Sequence, residues 1–164
     1  MKIFIDGSAG TTGLRIKDRL MKRSDVELIT LSEEQRKDTE SRKQALNSAQ
    51  VAFLCLPDAA AVEAVELVEN PDTVIIDTST AHRTSAGWAY GFPELSAEFE
   101  DKIKNSKRIA VPGCHAGGFI ALVYPLVEAG VLGNDALLSC YSLTGYSGGG
   151  KKMIAEYESE DKSP

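Results

Sequence analysis

Apolar and polar positions along this chain alternate between two rhythms. Lys2–Asp6 is a short apolar run; after a glycine turn, Thr12–Arg23 spaces Leu14, Ile16 and Leu20 among charges, so strand, turn and helix follow in order. Val26–Leu31 predicts a second strand. The polar, helix-favouring segment Asp38–Ala49 leads into Val51–Leu56, which is apolar throughout and bounded by Pro57. Such a run suits a strand covered on both faces. Ala59–Glu69 has helical spacing, and Val74–Asp77 returns to strand before a Ser/Thr-rich turn at Thr78–Thr84. Leu95–Ser106 predicts a helix, Arg108–Val111 a strand, Gly113–Gly130 a helix with a glycine stop, and Leu137–Thr144 a last strand. Strands and helices that alternate with short turns specify an α/β fold with a doubly wound, mainly parallel sheet of the Rossmann type.

Composition narrows the function classes. With 43% hydrophobic and 26% charged residues in 164, the chain is ordinary for a globular protein, long enough for one buried α/β domain and part of another. The net charge of -6, with no dense cluster of Lys and Arg, argues against a nucleic-acid partner. No apolar run approaches the roughly 20 residues that cross a bilayer, and the N-terminus enters a strand pattern at once, so a cytoplasmic location without membrane contact is expected. Cys55, Cys114 and Cys140 are odd in number and lack the paired spacing of a zinc site, so no metal is expected and any special cysteine is a thiolate.

Two places carry chemistry. The turn Gly7-Ser8-Ala9-Gly10-Thr11-Thr12-Gly13 lies between strand and helix, where glycines let backbone N–H groups approach a pyrophosphate at the helix N-terminus. Its spacing, G-x-x-G-x-x-G, departs from G-x-G-x-x-G, and the placement makes the signal. The second strand ends at Leu31-Ser32 without an acidic residue, so Ser32 can accept a 2′-phosphate that Arg36 and Lys37 neutralise, which favours NADP over NAD. The alternative is that Arg36 and Lys37 form only a solvated helix start.

Cys114, in Val111-Pro112-Gly113-Cys114-His115-Ala116-Gly117-Gly118, falls at the start of a helix, where unpaired N–H groups favour an anion and so a thiolate nucleophile. A free cysteine is more often a small core residue, which is the expectation for Cys55 and for Cys140 in its strand. His115 is adjacent to the thiol and points elsewhere from a helix start, so it is read as local.

In order along the chain, several blocks together resemble the N-acetyl-gamma-glutamyl-phosphate reductases, in their shorter subtype, within the wider semialdehyde dehydrogenase family. They are Ile3–Gly7 with Gly10–Leu14, Leu54-Cys55-Leu56-Pro57-Asp58, Ile76–Arg83, Trp88–Glu94, Pro112-Gly113-Cys114 and Gly145–Lys151. The resemblance implies NADPH-dependent reduction of N-acetyl-gamma-glutamyl phosphate through a cysteine thioester, in arginine biosynthesis, with Cys114 as nucleophile. It implies cofactor contacts at Gly7, Gly10, Thr11, Thr12, Gly13, Ser32, Arg36, Pro57, Gly148 and Gly149, and substrate contacts at Ser79, Arg83 and Tyr146. Without it, His82 reads as a loop histidine and Gly145–Gly150 as a flexible turn. Gly117 stands where the family commonly has threonine, which removes a side chain from that position. The resemblance also implies two parts, an NADP-binding domain at 1–112 and the start of an α+β catalytic and dimerisation domain at 113–164. It further implies a second half carrying the catalytic histidine and a homo-oligomer at full length. Another acyl-phosphate substrate such as aspartyl phosphate, a nucleotide-binding module without turnover and a cysteine hydrolase are the competing readings.

Overall fold

The computed structural model describes residues 1–159 and, within them, all side chains except those of Tyr146, Ser147, Lys151 and Lys152. Strand β1 (Lys2–Asp6) runs into the glycine turn and helix α1 (Thr11–Leu20), followed by β2 (Glu27–Ile29), α2 (Thr39–Ser48), β3 (Val51–Leu54), α3 (Asp58–Glu66) and β4 (Val74–Asp77). A two-residue strand β5 (Ala89–Tyr90) precedes α4 (Ala97–Asn105), β6 (Arg108–Ala110), α5 (Cys114–Glu128) and α6 (Gly150–Glu158). The strands form one six-stranded sheet in the order β2-β1-β3-β4-β6-β5, every pair parallel. The chain moves to one side of β1 for β2 and to the other for β3, so the order reverses between β1 and β3. In doubly wound sheets ligands bind at the carboxyl ends of the strands at such a point.

Burial follows the pleat. Phe4, Ala52, Leu54 and Ile75 share one face, where Ala45, Leu46 and Ala49 of the α2 region and Ala61 and Ala64 of α3 close over them. Small residues on the helices let α2 and α3 lie close to the strands. Asp38 caps α2 by accepting from the Ser41 N–H at 2.8 Å, and Ser96 caps α4 in the same way through Phe99. The expected two-sided burial of β3 is half met: Ala52 and Leu54 are buried, whereas Val51 and Phe53 are only partly covered. Helix α5 leaves Phe119, Leu122 and Leu126 exposed.

Two expectations are corrected. Leu137–Thr144 is irregular and exposed, not a strand. A strand exists only against a neighbour that takes its N–H and C=O groups, and the parallel sheet already ends on β2 and β5. Cys140 is consequently exposed and not part of a core.

Candidate active site

The glycine turn is shaped by two close approaches. Gly7 adopts φ 84°, and a methyl group there would overlap the carbonyl oxygen of Cys55 and sit 2.8 Å from its carbon. Gly13, buried in the first turns of α1, would place a methyl group over the Gly7 carbonyl oxygen and 2.8 Å from Ser8 Cα. The turn therefore passes tightly between the end of β3 and the start of α1, at the topological switch point. α1 has Gly10 at its N-cap, no side-chain cap and no acidic residue in its first turn, which leaves the N–H groups of Thr11, Thr12 and Gly13 toward an anion. Those residues fit a dinucleotide pyrophosphate. Pro57, at the end of β3, is the N-cap of α3 and is exposed beside this crevice.

Below the turn, Arg42 reaches from α2 to place Nε and Nη2 on Asp6 Oδ2 at 3.1 and 3.0 Å, while Nη1 meets Glu63 of α3 at 3.3 Å. Burial pushes the Asp6 carboxyl above its ordinary value, against the opposing pull of Arg42. The group ties both helices to the strand that launches the turn.

A pocket of about 170 Å³ opens between the turn and the end of β2, lined by Ser8, Ala9, Thr30, Leu31, Lys17 and Arg36 among others. Arg36 lines this pocket. Ser32 is exposed and spends its hydroxyl on the Gln35 N–H at 3.2 Å, and Lys37 pairs with Glu33 in solvent at 3.9 Å. Lys17, which the sequence reading missed, joins Arg36 as the second cation of this pocket. Its signal was a charge on the helix stripe that also carries Gly13, Ile16 and Leu20, where a long stem covers apolar surface while its head stays wet.

A second, larger cleft of about 540 Å³ lies at the carboxyl ends of β4 and β6, and Thr12, Thr78, Arg83, Cys114, His115 and Gly148 meet there. Cys114 is the first residue of the 15-residue α5, exposed, behind a Gly113 N-cap that supplies no side chain. Arg83 donates through Nε to the Val111 carbonyl at 2.9 Å and through Nη2 to the Thr78 carbonyl at 3.3 Å. Its Nη1 lies against Gly113, where an added methyl group would stand only 2.6 Å away. Glycine is what lets the guanidinium lie beside the thiol-bearing helix start. His115 is hydrogen-bonded to Ser142. Gly148 reaches the cleft from a short turn at Tyr146–Gly149, with Gly149 beside it, and the side chain of Tyr146 lies outside the described residues.

The remaining predicted residues separate. Ser79 is buried, its hydroxyl donating to Asp77 Oδ2 at 2.6 Å, so it faces inward from the cleft. His82 is not a solvated loop residue: it is buried, 2.7 Å from Asp77 and stacked on Trp88. Cys55 is half-buried, and burial pushes its thiol up to about 11, assisted by the carboxylates of Asp6 and Asp77 and opposed by Thr78. Among the described residues no group of three or more His, Cys, Asp or Glu is placed to hold a metal ion, and no helix is long and apolar enough to cross a membrane.

Comparison with known proteins agrees with this geometry. Residues 2–105 match the family model described as semialdehyde dehydrogenase, NAD binding domain. The chain is 51% identical over 156 residues to N-acetyl-gamma-glutamyl-phosphate reductase 2 of Pseudomonas putida, covering 95% of this chain and 50% of that protein. It is 53% identical over 157 residues to N-acetyl-gamma-glutamyl-phosphate reductase of Chelativorans sp., covering 96% and 51%. The chain spans about half the length of the curated relatives it matches. Among solved structures, aspartate semialdehyde dehydrogenase from Francisella tularensis superposes with a TM-score of 0.68 at 16% identity, over 99% of this chain and 52% of that one. The enzyme from Candida albicans, solved with NADP, does so at 0.54 and 18%, over 77% and 46%. At such identities these two structures speak for the fold. The family match spans β1 to β5, the glycine turn and helices α1 to α4, and the chain belongs to the semialdehyde dehydrogenase family, with its NAD-binding domain at residues 2–105.

Proposed function

We propose that this chain is the dinucleotide-binding and thiol-bearing part of an NADP-dependent N-acetyl-gamma-glutamyl-phosphate reductase of the cytoplasm. The observation that carries the reading is the cleft in which Thr12 of the nucleotide turn, Arg83 and Cys114 meet. Relatives about half identical over nearly the whole chain bear that enzyme's name.

In the proposed reaction Cys114 Sγ attacks the acyl carbonyl, the new C–S bond replaces the C–O bond, and phosphate leaves. Arg83, held beside Gly113, faces the anionic end of the substrate; Tyr146 is proposed to meet the substrate as well. NADPH, when bound, supplies the hydride that reduces the thioester to the level of the aldehyde. Gly7, Gly10, Thr11, Thr12, Gly13, Pro57, Gly148 and Gly149 would hold the cofactor, and Arg36 with Lys17 its 2′-phosphate. Release of the aldehyde needs a proton moved at the former carbonyl oxygen. His82 is committed to Asp77 and His115 to Ser142, so that group is assigned to a second half of the enzyme. The boundary between the two parts is placed at residue 113. The outward apolar residues of α5, with Leu122 75% exposed, suit cover by that second half and by another copy of the chain.

The test compares this chain with a version extended by a relative's second half, in the NADPH-forming direction with N-acetylglutamate semialdehyde and phosphate. The extended protein is expected to turn over, and the 164-residue chain to be slower by at least about 10²-fold, the scale of losing a general acid/base. No turnover by the extended protein, with NADP⁺ bound, refutes the substrate assignment.

A further inference from the structure

The loop after β4 holds a buried cluster that the proposed reaction does not use. Asp77, fully buried at the end of β4, accepts from the Ser79 N–H on Oδ1 at 2.9 Å, and on Oδ2 from the Ser79 hydroxyl at 2.6 Å. His82 Nδ1 lies 2.7 Å from the same Oδ2. A carboxylate only accepts, so the imidazole donates from Nδ1 and its tautomer is set. The ring of His82 also lies flat on Trp88, with centroids 4.1 Å apart and planes 13° apart. Backbone bonds from Ser85 to His82 at 3.2 Å and from Trp88 to Ser85 at 3.3 Å close the loop around the stack.

The next residue is Arg83, and it leaves the loop toward the cleft. Its two hydrogen bonds go to Thr78, which directly follows Asp77, and to Val111, which follows β6. An arginine side chain loses much rotamer freedom when fixed, so a guanidinium held in one place needs a fixed base. The His82 ring is held at its edge by Asp77 and on one face by Trp88, which sets the direction in which residue 83 departs. Asp58, whose carboxylate receives the Thr80 N–H at 2.9 Å, pins the outer part of the same loop to the start of α3.

We infer that His82 is a positioning residue: clamped between Asp77 and Trp88, it aims Arg83 across Gly113 so that a fixed positive charge stands beside Cys114. This rests on the reading of Arg83 as the anion-facing group of the cleft. His82 itself touches neither substrate nor cofactor, and its removal acts through the placement of its neighbour.

Alkylation of Cys114 separates charge placement from general loosening. Iodoacetate carries a negative charge and iodoacetamide none; the ratio of their rates at Cys114, read by peptide mass spectrometry, cancels thiolate fraction and exposure. Arg83→Gln is expected to lower that ratio about tenfold, the scale of removing one unit charge held close to the reacting thiol. His82→Phe keeps a ring against Trp88 and loses the bond to Asp77, and is expected to lower the ratio about threefold as the charge is displaced and more screened. His82→Asn, whose amide can donate from the position of Nδ1, should stay within about twofold of the parent. A parental ratio in His82→Phe with a lowered one in Arg83→Gln overturns the inference and leaves Arg83 its role. A parental ratio in both removes that role as well. A loss in His82→Asn equal to that in His82→Phe overturns the part assigned to Asp77. If circular dichroism shows His82→Phe unfolded, Asp77→Asn/His82→Phe, which removes the orphaned charge with its donor, carries the same expectation and the same refutation.

Discussion

Replacing Gly7 by alanine should destabilise the domain by about 3 kcal/mol, from two independent sources. An L side chain at φ 84° costs about 1–2 kcal/mol for the left-handed backbone alone. The new methyl group would also overlap the Cys55 carbonyl. That oxygen belongs to the backbone beyond β3, whose neighbour Cys55 N–H is held by the Asp6 carbonyl at 2.8 Å, so no rotamer change relieves the clash. Overpacking of this kind costs about 1–3 kcal/mol. Gly10→Ala is the control: Gly10 has φ -80°, and its methyl group would stand 3.3 Å from the Gly7 carbonyl oxygen, so a loss under about 1 kcal/mol is expected. Gly13→Ala decides between effects of opposite sign, because alanine gains about 1 kcal/mol of helix propensity while overlapping the backbone of Gly7 and Ser8. Overlap with backbone wins, and Gly13→Ala should be destabilised. Urea unfolding followed by circular dichroism reads all three, with an unchanged m-value showing that only stability moved. A Gly7→Ala midpoint equal to that of the parent would refute the account of the turn.

Lys17→Met and Arg36→Met should each reduce the NADPH-over-NADH preference by about tenfold, the worth of one charge-assisted contact to phosphate; equal dissociation constants for the two cofactors in the unmodified chain, by fluorescence titration, would refute the pocket assignment. In the folded chain Cys114 should alkylate fastest, the exposed Cys140 should also react, and Cys55 should be nearly inert at neutral pH, becoming reactive only toward pH 11; early labelling of Cys55 at pH 7 in mapped peptides would contradict its burial. The raised Cys55 value has a stability consequence of definite sign. The unfolded thiol ionises first, so the stability from its neutral form is present below pH 9 and is lost as pH rises through about 11; a urea midpoint for the parent that falls no further than that of Cys55→Ala over this window would exclude the effect.

Legibility in the sequence tracked periodicity. The strands from β1 to β4, the glycine turn and the placement of Cys114 at a helix start all rest on local patterns, and they stand where those patterns put them. β5 has two residues on a sheet edge, too few for a period, and α6 follows a glycine-rich stretch that reads as a turn. Leu137–Thr144 carries a strand-like pattern, yet pattern supplies only propensity, and pairing supplies the ladder. His82 was illegible for another reason: its partners are a residue five positions earlier and a tryptophan six later, in a loop where no rhythm relates them. Lys17 was hidden because a lysine on a helix reads as solvated until the pocket beside it is seen.

The strand order bears on how the chain comes together during synthesis. β1 emerges first but lies between β2 and β3, so its two ladders are complete only once residue 54 is available. From there β4 adds to β3 and β6 adds to β4, each new strand laid on the edge exposed by the one before. β5 alone breaks the sequence, since its partner among the described residues is β6, made later; residues 89–90 must wait for residues 108–110. Domains that gain structure from the N-terminus as they are made are well suited by such an order. After β2 has added to one side of β1, the sheet grows outward on the other side only, and the segment that carries Arg83 is enclosed only when β6 arrives and presents Val111 to it.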